Sequence, residues 1–375
     1  MYLQRIESLD RQGPTLNSIL EINPDALEIA DQLDAERRSN GPRSPLHGIP
    51  VLVKDNIATA DRMTTTAGSL ALAGCIAPRD SWVASRLREA GAILLGKTIQ
   101  SEWANFRSSQ ASSGWSARGG QCRNPYVLDR NPCGSSSGSG AATSANLVSA
   151  ALGTETDGSV VCPSSANGLV GLKPTVGLVS RSGIIPIAHS QDTAGPMTRT
   201  VADAAALLSV LAGVDPSDPA TASNREPSDL DYTVFLDTHG LAGSRIGVAR
   251  QYFGFHPGVD AALEEVLTEM KRLGAELIDP VELSTRGAFG DAEYTVLLYE
   301  FKADLNRYLA ELGSSAPVRN LAEVIRFNED NAELEMPFFG QDIFLEAESR
   351  GDLSSPEYTQ ALEICRRATR EEGID

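Results

Sequence analysis

The chain has 375 residues, of which 41% are hydrophobic and 22% are charged, the composition of an ordinary globular protein. Its 50 acidic and 32 basic residues give a net charge of −18, which repels phosphate backbones and excludes nucleic acid as a direct partner. No apolar run approaches the roughly 20 residues that cross a bilayer, and the opening segment MYLQRIESLDRQG has no signal-peptide core. We therefore expect a cytoplasmic protein that does not bind a membrane.

The cysteines predict neither a metal site nor a disulfide framework. They are odd in number and show no Cys-x-x-Cys or Cys/His ligand spacing, so we expect reduced thiols. We also expect no metal ion and no organic cofactor. The five cysteines are Cys75, Cys122, Cys133, Cys162 and Cys365.

Helix and strand signals alternate along the chain, which favours α/β layers around a largely buried sheet. The segment TRTVADAAALLSVLAG predicts a helix that begins at Thr198 or Thr200 and ends before Gly213. The other predicted helices are residues 81–90, 259–273 and 293–312, and the predicted strands are residues 49–53, 92–95, 245–249 and 275–278.

A polar, proline-containing stretch, VDPSDPATASNREPSD, separates two parts of the chain. Such a stretch marks either a boundary or a long surface connection. We expect one domain over residues 1–375, with a catalytic core at about 45–212, a linker at 213–230 and a helical and α/β subregion at 231–375.

Residues 133–165, CGSSSGSGAATSANLVSAALGTETDGSVVCPSS, contain two glycine turns that carry serines. The first turn fits the G-x-S-x-G pattern of a serine esterase, with Ser136 as the nucleophile. That pattern follows a strand, however, whereas RNPYVLDRNPC predicts a loop, and His189, His239 and His256 lie in no distinctive context. A phosphate-binding loop is also disfavoured, because the P-loop lysine and hydroxyl are missing.

A third interpretation uses both turns. The small residues at 138–151 predict a closely packed helix whose two ends bring the turns together. The turn T-E-T-D-G-S offers successive backbone N–H groups to an oxyanion, and Ser159 would be the nucleophile. A serine needs a base, and without a histidine in this stretch the base would be a lysine that burial keeps neutral.

Three lysines follow apolar runs and are candidates for this base: Lys54, Lys97 and Lys173. Chemistry alone does not choose among them. Judged by its context, Lys54 fits a solvated lysine at a strand end, paired with Asp55, better than it fits a base.

Several blocks of the chain closely resemble the amidase signature family. They include HGIPVLVKDNI, GAILLGKT, SEWANF, NPCGSSSGS, TETDGS, GLVGLKPTVGLVS and QDTAGPMTRTVADAA, and they extend over about residues 45–212. SEWANFRSS, SGWSARGGQ and LGTETDGSVVCP are most similar to bacterial peptide amidases, which remove C-terminal amide groups from peptides. The resemblance implies an α/β fold with a central mixed β-sheet covered by helices on both faces. Because relatives carry further segments at both ends, it also implies that the chain is truncated at both ends.

The resemblance implies a Ser–Ser–Lys triad in which Ser159 is acylated, Ser135 relays the proton and Lys54 is the terminal base. It therefore replaces the solvated interpretation of Lys54. The family holds its bridging serine after a cis peptide bond, which here is Gly134–Ser135. The implied function is hydrolysis of carboxamides, above all the C-terminal amides of peptides, to carboxylate and ammonia through an acyl-serine intermediate.

The oxyanion donors that the resemblance implies are the backbone N–H groups of Thr156, Asp157, Gly158 and Ser159. Many relatives carry glycine at the position of Asp157, but a backbone donor tolerates any side chain. Many also carry an arginine where this chain has Val-Val-Cys at residues 160–162. Without that cation, these residues offer no positive charge to bind a free carboxylate of the substrate, which favours a neutral amide as the substrate.

Ser113, Trp115 and Gln191 are the candidate substrate-binding residues. An aromatic ring such as that of Trp115 gives a peptide a large contact area in a cleft. Gln191 either orients the scissile amide or caps a turn. Trp103 and Phe106 are three residues apart, so we expect them on the core face of one helix.

Two other functions stay open. A glutaminase similar to the amide-hydrolysing component of an amidotransferase would act only with a partner subunit, and that requirement separates it from a self-sufficient amidase. An esterase would depend on Ser136 and a histidine instead.

Overall fold

The computed structural model describes residues 1–223 and 230–375. The chain forms two compact units, the first made of Met1–Tyr232 and Leu297–Asp352 and the second of Thr233–Val296 and Leu353–Asp375. The predicted linker at 213–230 falls partly on residues 224–229, which lie outside the described ranges. The predicted domain organisation therefore stays a prediction.

The sheets are built from ten strands in the described residues. These are β1 (Ile19–Ile22), β2 (Pro50–Lys54), β3 (Ile93–Thr98), β4 (Trp115–Ser116), β5 (Gly120–Gln121), β6 (Ala150–Glu155), β7 (Val170–Gly171), β8 (Thr193–Thr198), β9 (Arg245–Gly247) and β10 (Glu276–Ile278). Six of them form a mixed sheet in the order β1-β3-β2-β6-β8-β7. In this sheet β2 is parallel to both β3 and β6, and the other pairs are antiparallel.

The described residues also form twelve α-helices. They are α1 (Tyr2–Arg5), α2 (Ala26–Asn40), α3 (Trp82–Glu89), α4 (Ser137–Ser144), α5 (Val161–Ala166), α6 (Val201–Leu211), α7 (Pro257–Arg272), α8 (Gly290–Leu312), α9 (Leu321–Asp330), α10 (Ala332–Glu335), α11 (Asp342–Glu348) and α12 (Pro356–Arg366). None of these helices combines the length and the apolar character that a membrane span requires.

Successive residues of β2 pack on opposite faces of the sheet, as the two-residue period of a strand requires. Val51 and Val53 belong to one apolar cluster, together with Leu87 of α3 and Leu207 of α6. Leu52 belongs to a second cluster, which contains residues of α2 and α4. The sheet therefore carries helices on both faces, which confirms the predicted fold class.

Most of the predicted helices are present, with boundaries moved by a few residues. α3 begins after Ser81, whose hydroxyl accepts a hydrogen bond from the N–H of Ala84. α6 begins after Thr200, whose hydroxyl accepts from the N–H of Asp203. Caps of this kind supply an acceptor to a first helical turn that has no partner of its own, and Thr200 rather than Thr198 is the cap.

The helix predicted over residues 138–151 is wrong in its second half. α4 ends at Ser144, Asn146 adopts the left-handed region with φ of 57°, and β6 begins at Ala150. Ala150 and Ala151 pair with β2. Pairing within the sheet therefore decides the conformation of small residues that are compatible with either state.

The second unit contains the predicted strand–helix–strand succession. β9 and β10 are parallel, with Ile246 opposite Leu277, and α7 connects them along the chain. α7 begins after His256, whose ring accepts N–H bonds from Gly258 and Val259. The strand predicted at 245–249 is shorter than expected.

The carboxyl ends of three neighbouring strands lie at one edge of the large sheet, because β3, β2 and β6 are parallel. These ends are Thr98, Lys54 and Glu155. Binding sites of open α/β sheets form at such edges. Two of the three end residues turn out to organise the candidate site.

We predict that Gly138→Ala destabilises the protein. A Cβ atom at this position would clash with the carbonyl oxygen of Ser18 and lie 2.6 Å from the amide nitrogen of Ile99. Since both neighbours are backbone atoms, we expect a loss of about 1–3 kcal/mol in the free energy of unfolding, measured by thermal unfolding. Gly290→Ala is the matched control, because a Cβ there meets nothing within 4 Å. An unchanged midpoint in Gly138→Ala would contradict the packing described for α4.

Candidate active site

Lys54 ends β2 with a fully buried side chain. Its Nζ lies 2.7 Å from Ser135 Oγ, 2.9 Å from Thr154 Oγ1 and 3.1 Å from the Thr154 carbonyl oxygen. Burial lowers the pKa of Lys54 from 10.5 to about 7, although the charges of Asp192 and Glu155 act in the opposite direction. At neutral pH a large share of this amine is therefore unprotonated and able to accept a proton.

The other two candidate lysines have different surroundings. Lys97 is also buried, and burial lowers its pKa to about 8, but its Nζ contacts a backbone carbonyl and a threonine hydroxyl. Lys173 is exposed. Asp55 is the ion-pair partner that the sequence context of Lys54 suggested. In the structure its carboxylate accepts a hydrogen bond from the N–H of Gly68 at 3.0 Å. Lys54 is the lysine that the structure brings to a serine of the two turns.

Ser135 lies in a turn that is fixed on two sides. The Gly134–Ser135 bond is cis, and a Cβ on Gly134 would clash with Ser101 Oγ. The Ser135 carbonyl accepts the N–H of Ser101 at 3.0 Å, and the next N–H, that of Ser136, donates to the Ser159 carbonyl at 3.2 Å. The last of these bonds joins the two serine turns directly.

Glu155 organises the turn that carries Ser159, a role that reasoning from the sequence missed. Its buried carboxylate accepts the N–H groups of Gly158 at 2.9 Å, Val160 at 2.7 Å and Val161 at 2.9 Å. Charge-assisted bonds of this kind hold a backbone firmly. The available signal was an acidic residue at the end of a buried strand, directly before the glycine turn.

The Gly158 N–H donates to Glu155 rather than standing unpaired in the Ser159 turn. An oxyanion would have to share this N–H with the carboxylate or replace it as the acceptor. The roles of Thr156, Asp157, Gly158 and Ser159 as backbone donors stay predictions.

Asp192 links the Ser159 turn to the chain before β8. Its Oδ1 accepts the hydroxyl of Thr156 at 2.5 Å, and its Oδ2 accepts the N–H groups of Ile187 at 2.8 Å and Ala188 at 3.0 Å. Removal from water raises the pKa of Asp192 to about 6 despite these bonds. The carboxylate is thus mostly ionised at neutral pH, where its charge acts on Lys54.

The three candidate substrate-binding residues have different surroundings. Ser113 is half-buried, and its hydroxyl accepts a hydrogen bond from Asn105 Nδ2 at 3.2 Å. Gln191 is half-buried in the turn before β8. Trp115 is 8% exposed and packs edge-on against Phe339, with ring centroids 5.2 Å apart. Aromatic neighbours thus cover most of the Trp115 ring, and the roles of all three residues in substrate binding stay predictions.

The segment SEWANF does not form the expected regular helix. Trp103, Ala104 and Asn105 all have positive φ, at 47°, 56° and 70°, a region that residues other than glycine seldom adopt. Trp103 and Phe106 are buried, so their predicted place in the core is confirmed. Trp103 additionally lines a cavity.

Ser136, the nucleophile of the esterase alternative, has its hydroxyl bonded to β6. It donates to the carbonyl of Thr154 at 3.1 Å and accepts the N–H of the same residue at 3.2 Å. Among the histidines considered for that alternative, His189 bonds Asp304 at 2.8 Å, and His256 caps α7. This arrangement disfavours an esterase that depends on Ser136.

The prediction of five reduced thiols is wrong for two of them. Cys133 and Cys162 form a disulfide, with Cα atoms 6.1 Å apart. Cys133 directly precedes the Gly134–Ser135 turn, and Cys162 follows Ser159 within α5. No spacing pattern reveals this bond, because its partners are 29 residues apart and meet only through the fold. The disulfide closes a loop that contains both serine turns.

One cluster in the described part of the chain has the chemistry of metal ligands. His189, Glu300 and Asp304 each place a ligand atom within 4.8 Å of the others. Hydrogen bonds already account for the cluster, since His189 Nδ1 bonds Asp304 and both the N–H and the hydroxyl of Ser190 donate to Glu300 at 2.9 Å. The bond to Asp304 raises the pKa of His189. We assign no metal to this cluster.

The family model described as Amidase matches residues 1–374. The chain belongs to the amidase signature family. It is 45% identical to a probable amidase of Arabidopsis thaliana, over 99% of this chain and 72% of that protein. It is 42% identical to one subunit of the glutamyl-tRNA(Gln) amidotransferase of Myxococcus xanthus, over 82% of this chain and 61% of that protein.

Solved structures agree with this family. The native peptide amidase from Stenotrophomonas maltophilia is 54% identical to this chain and matches its structure with a TM-score of 0.96. The match covers 100% of this chain and 76% of the other. The corresponding glutamyl-tRNA(Gln) amidotransferase subunit from Thermotoga maritima is 30% identical, with a TM-score of 0.69 over 99% of this chain and 71% of the other. The protein is thus an amidase, a hydrolase that acts on amides.

We predict that loss of the disulfide lowers stability and activity together. The Cys133→Ser/Cys162→Ser double variant should lose about 3–4 kcal/mol, the value expected when a loop of this length is opened. A lower thermal midpoint and slower amide hydrolysis at a fixed temperature would measure the two losses. Reductant should lower the midpoint of the parent and leave the double variant unchanged. Equal midpoints for the oxidised parent and the double variant would contradict a stabilising role.

Proposed function

We propose that this amidase cleaves carboxamides through an acyl-Ser159 intermediate, with Ser135 as the proton relay and Lys54 as the terminal base. The 2.7 Å contact between Lys54 Nζ and Ser135 Oγ, at an amine whose pKa burial lowers to about 7, carries the proposal. The hydrogen bond from the N–H of Ser136 to the Ser159 carbonyl supports it further, because that bond sets the two serine turns side by side.

The proposed reaction has two stages, acylation of Ser159 and hydrolysis of the acyl-serine. Ser159 Oγ attacks the carboxamide carbon while its proton passes to Ser135 Oγ, and the Ser135 proton passes to Lys54 Nζ. The tetrahedral intermediate collapses by breaking the C–N bond, and the same relay returns a proton to the leaving amine as ammonia. Water then attacks the acyl-serine with the relay acting again, which releases the carboxylate and restores Ser159.

We infer that the substrate is the C-terminal amide of a peptide. The 54% identity to a peptide amidase over the whole of this chain supports this substrate. The residues after Ser159 support it too, because Val160, Val161 and Cys162 provide no cation to hold a free carboxylate. A neutral primary amide suits such a site.

The alternative is a glutaminase-like subunit that acts only within an amidotransferase. Its supporting observation is the 42% identity to an amidotransferase subunit. The lower TM-score of the solved amidotransferase subunit, 0.69 against 0.96 for the peptide amidase, favours the self-sufficient enzyme. Activity of the isolated chain separates the two functions.

We also propose that the protein works in an oxidising compartment rather than in the cytoplasm predicted from the sequence. The disulfide between Cys133 and Cys162 supports this location, since such bonds persist where thiols are not kept reduced. Counting free thiols by mass spectrometry in protein taken directly from its source tests the point, and five free thiols would contradict it.

We predict that the isolated chain releases ammonia from a C-terminally amidated dipeptide and that Ser159→Ala and Lys54→Met abolish the release. Removal of the nucleophile or of a general base typically costs more than 100-fold in rate. Methionine matches the length of lysine and suits a buried site, so Lys54→Met should stay folded. Ser144→Ala is the control, because this hydroxyl lies at the end of α4 and bonds the Asn167 carbonyl. A folded but silent parent that gains activity with a partner subunit would favour the amidotransferase.

We predict that kcat/KM rises with pH and levels off above about 7. Only the neutral form of Lys54 accepts a proton, and its pKa of about 7 sets the midpoint, with a roughly tenfold loss for each pH unit below it. Because the charge of Asp192 raises the pKa of Lys54, Asp192→Asn should move this limb to lower pH. Rates measured from pH 5 to 9 test both statements, and an unmoved limb would contradict the coupling.

A further inference from the structure

The amine of Lys54 contacts a residue that takes no step in the proposed relay. Besides Ser135 Oγ, its Nζ contacts two oxygens of Thr154, the hydroxyl Oγ1 at 2.9 Å and the carbonyl oxygen at 3.1 Å. Thr154 is buried on β6, the strand that pairs with β2. Two of the three oxygens around the amine therefore belong to a residue outside the proposed triad.

The hydroxyl of Thr154 has a second partner, the side chain of Asn56. Asn56 Nδ2 donates to Thr154 Oγ1 at 2.9 Å, and the Asn56 side chain is buried. The backbone that carries this amide is fixed as well, because the Asn56 carbonyl accepts the N–H of Ile185 at 2.9 Å. Hydrogen bonds thus lead from Asn56 through Thr154 to the amine of Lys54.

The number of hydrogens on the amine indicates what these contacts do. A charged amine has three N–H groups, and a neutral one has two N–H groups and one lone pair. The Thr154 carbonyl can only accept, so it takes one N–H in both states. When the Thr154 hydroxyl accepts the second N–H, the lone pair of the neutral amine is left for the O–H of Ser135. After proton transfer, each of the three N–H groups has an oxygen acceptor.

The lone pair of the neutral amine has two hydroxyl groups within reach, those of Ser135 and Thr154. An O–H that Thr154 donated to the amine would exclude Ser135 and block the relay. The distances favour Ser135 as the donor, because 2.9 Å to Thr154 Oγ1 is the usual length of an N–H···O bond, whereas the contact with Ser135 is shorter, at 2.7 Å. The N–H of Asn56 holds the Thr154 oxygen in place as an acceptor.

We propose that Thr154 and Asn56 are positioning residues of the reaction. Thr154 accepts two N–H bonds from the amine of Lys54 and so turns its lone pair toward Ser135, and Asn56 holds the Thr154 hydroxyl where it can accept. The inference rests on the proposed function, because it assumes that Lys54 is the base. Both residues act through Lys54.

Thr154→Val tests the hydroxyl, because valine keeps the shape of threonine. The change removes one acceptor from the charged amine, so the pKa of Lys54 and the limb of kcat/KM should both move down by about one pH unit. With the lone pair less well directed, kcat/KM on the plateau should fall about tenfold. The charged groups that act on the amine, Asp192 and Glu155, remain in place.

Two further variants separate positioning from a merely structural role. Thr154→Ser keeps the hydroxyl and should restore both the limb and the plateau. Thr143→Val is the matched control, since Thr143 is also buried and its hydroxyl has no hydrogen-bond partner in the described residues. A structural role for Thr154 would lower the thermal midpoint of Thr154→Val and leave the pH limb where it is.

A titration of Lys54 itself gives a readout that does not depend on activity. The chain has five lysines, so NMR of protein labelled at the lysine ε-carbons shows few signals, and the signal that Lys54→Met removes is that of Lys54. Its midpoint should lie near 7 in the parent and about one unit lower in Thr154→Val. The midpoint of Lys97, about 8 in the parent, should not move.

A double-mutant cycle tests whether Asn56 acts through Thr154. Asn56→Leu keeps the side-chain size and removes the N–H that Thr154 Oγ1 accepts. It also removes Asn56 Oδ1, which has no partner in the described residues, so the variant should stay folded. Its plateau kcat/KM should fall roughly threefold. Asn56→Leu/Thr154→Val should be no slower than Thr154→Val alone, because the bond between the two residues is then already lost.

The outcomes separate this inference from the function on which it rests. An unmoved Lys54 midpoint in Thr154→Val, a plateau rate that rises in that variant, or additive losses in the double variant would overturn the inference. Ammonia release that survives Lys54→Met would instead overturn the proposed function, while the NMR midpoints would still decide how Thr154 holds the amine.

Discussion

The candidate site depends on keeping the amine of Lys54 out of water. The fall of its pKa from 10.5 to about 7 corresponds to a preference of about 5 kcal/mol for the neutral form. The unfolded chain holds this proton up to about pH 10.5, whereas the folded chain releases it near 7, so the contribution of Lys54 to stability is lowest below pH 7 and rises toward pH 10.5. The carbonyl and hydroxyl of Thr154, with the hydroxyl of Ser135, supply the hydrogen bonds that make this burial tolerable. This burial lowers stability, and it leaves an amine that can accept a proton at neutral pH.

Lys54 can serve as the proposed base only if the two serine turns keep their positions relative to its amine. Glu155 fixes the second turn, because its carboxylate accepts hydrogen bonds from three backbone N–H groups of that turn. The disulfide between Cys133 and Cys162 restrains both turns by joining the residues that flank them. Glu155 also ends β6, so the turn is anchored to a strand whose neighbour carries Lys54. The residues of the proposed relay are therefore anchored at the sheet edge.

Periodicity and capping patterns predicted the α/β layers, because buried strands and helices leave a local imprint on the sequence. The end of the helix at Ser144 escaped prediction, since sheet pairing of Ala150 and Ala151 with β2 is a long-range contact. The disulfide escaped for the same reason. The resemblance, and not the chemistry of the residues, singled out Lys54 from the other lysines. The hydrogen bond from the Gly158 N–H to Glu155 could not be predicted from a residue pattern, because it depends on the orientation of one carboxylate in the fold.

Burial and an altered pKa do not by themselves identify a functional group, and the two buried lysines show why. Lys97 is as deeply buried as Lys54, and its pKa is lowered to about 8. Its amine donates to the Ile57 carbonyl and the Thr65 hydroxyl, which fixes the chain around it. Lys54 instead meets the hydroxyl of Ser135, a group that can carry a proton onward. The group that a buried lysine contacts, rather than its burial, therefore distinguishes the proposed base from a structural lysine.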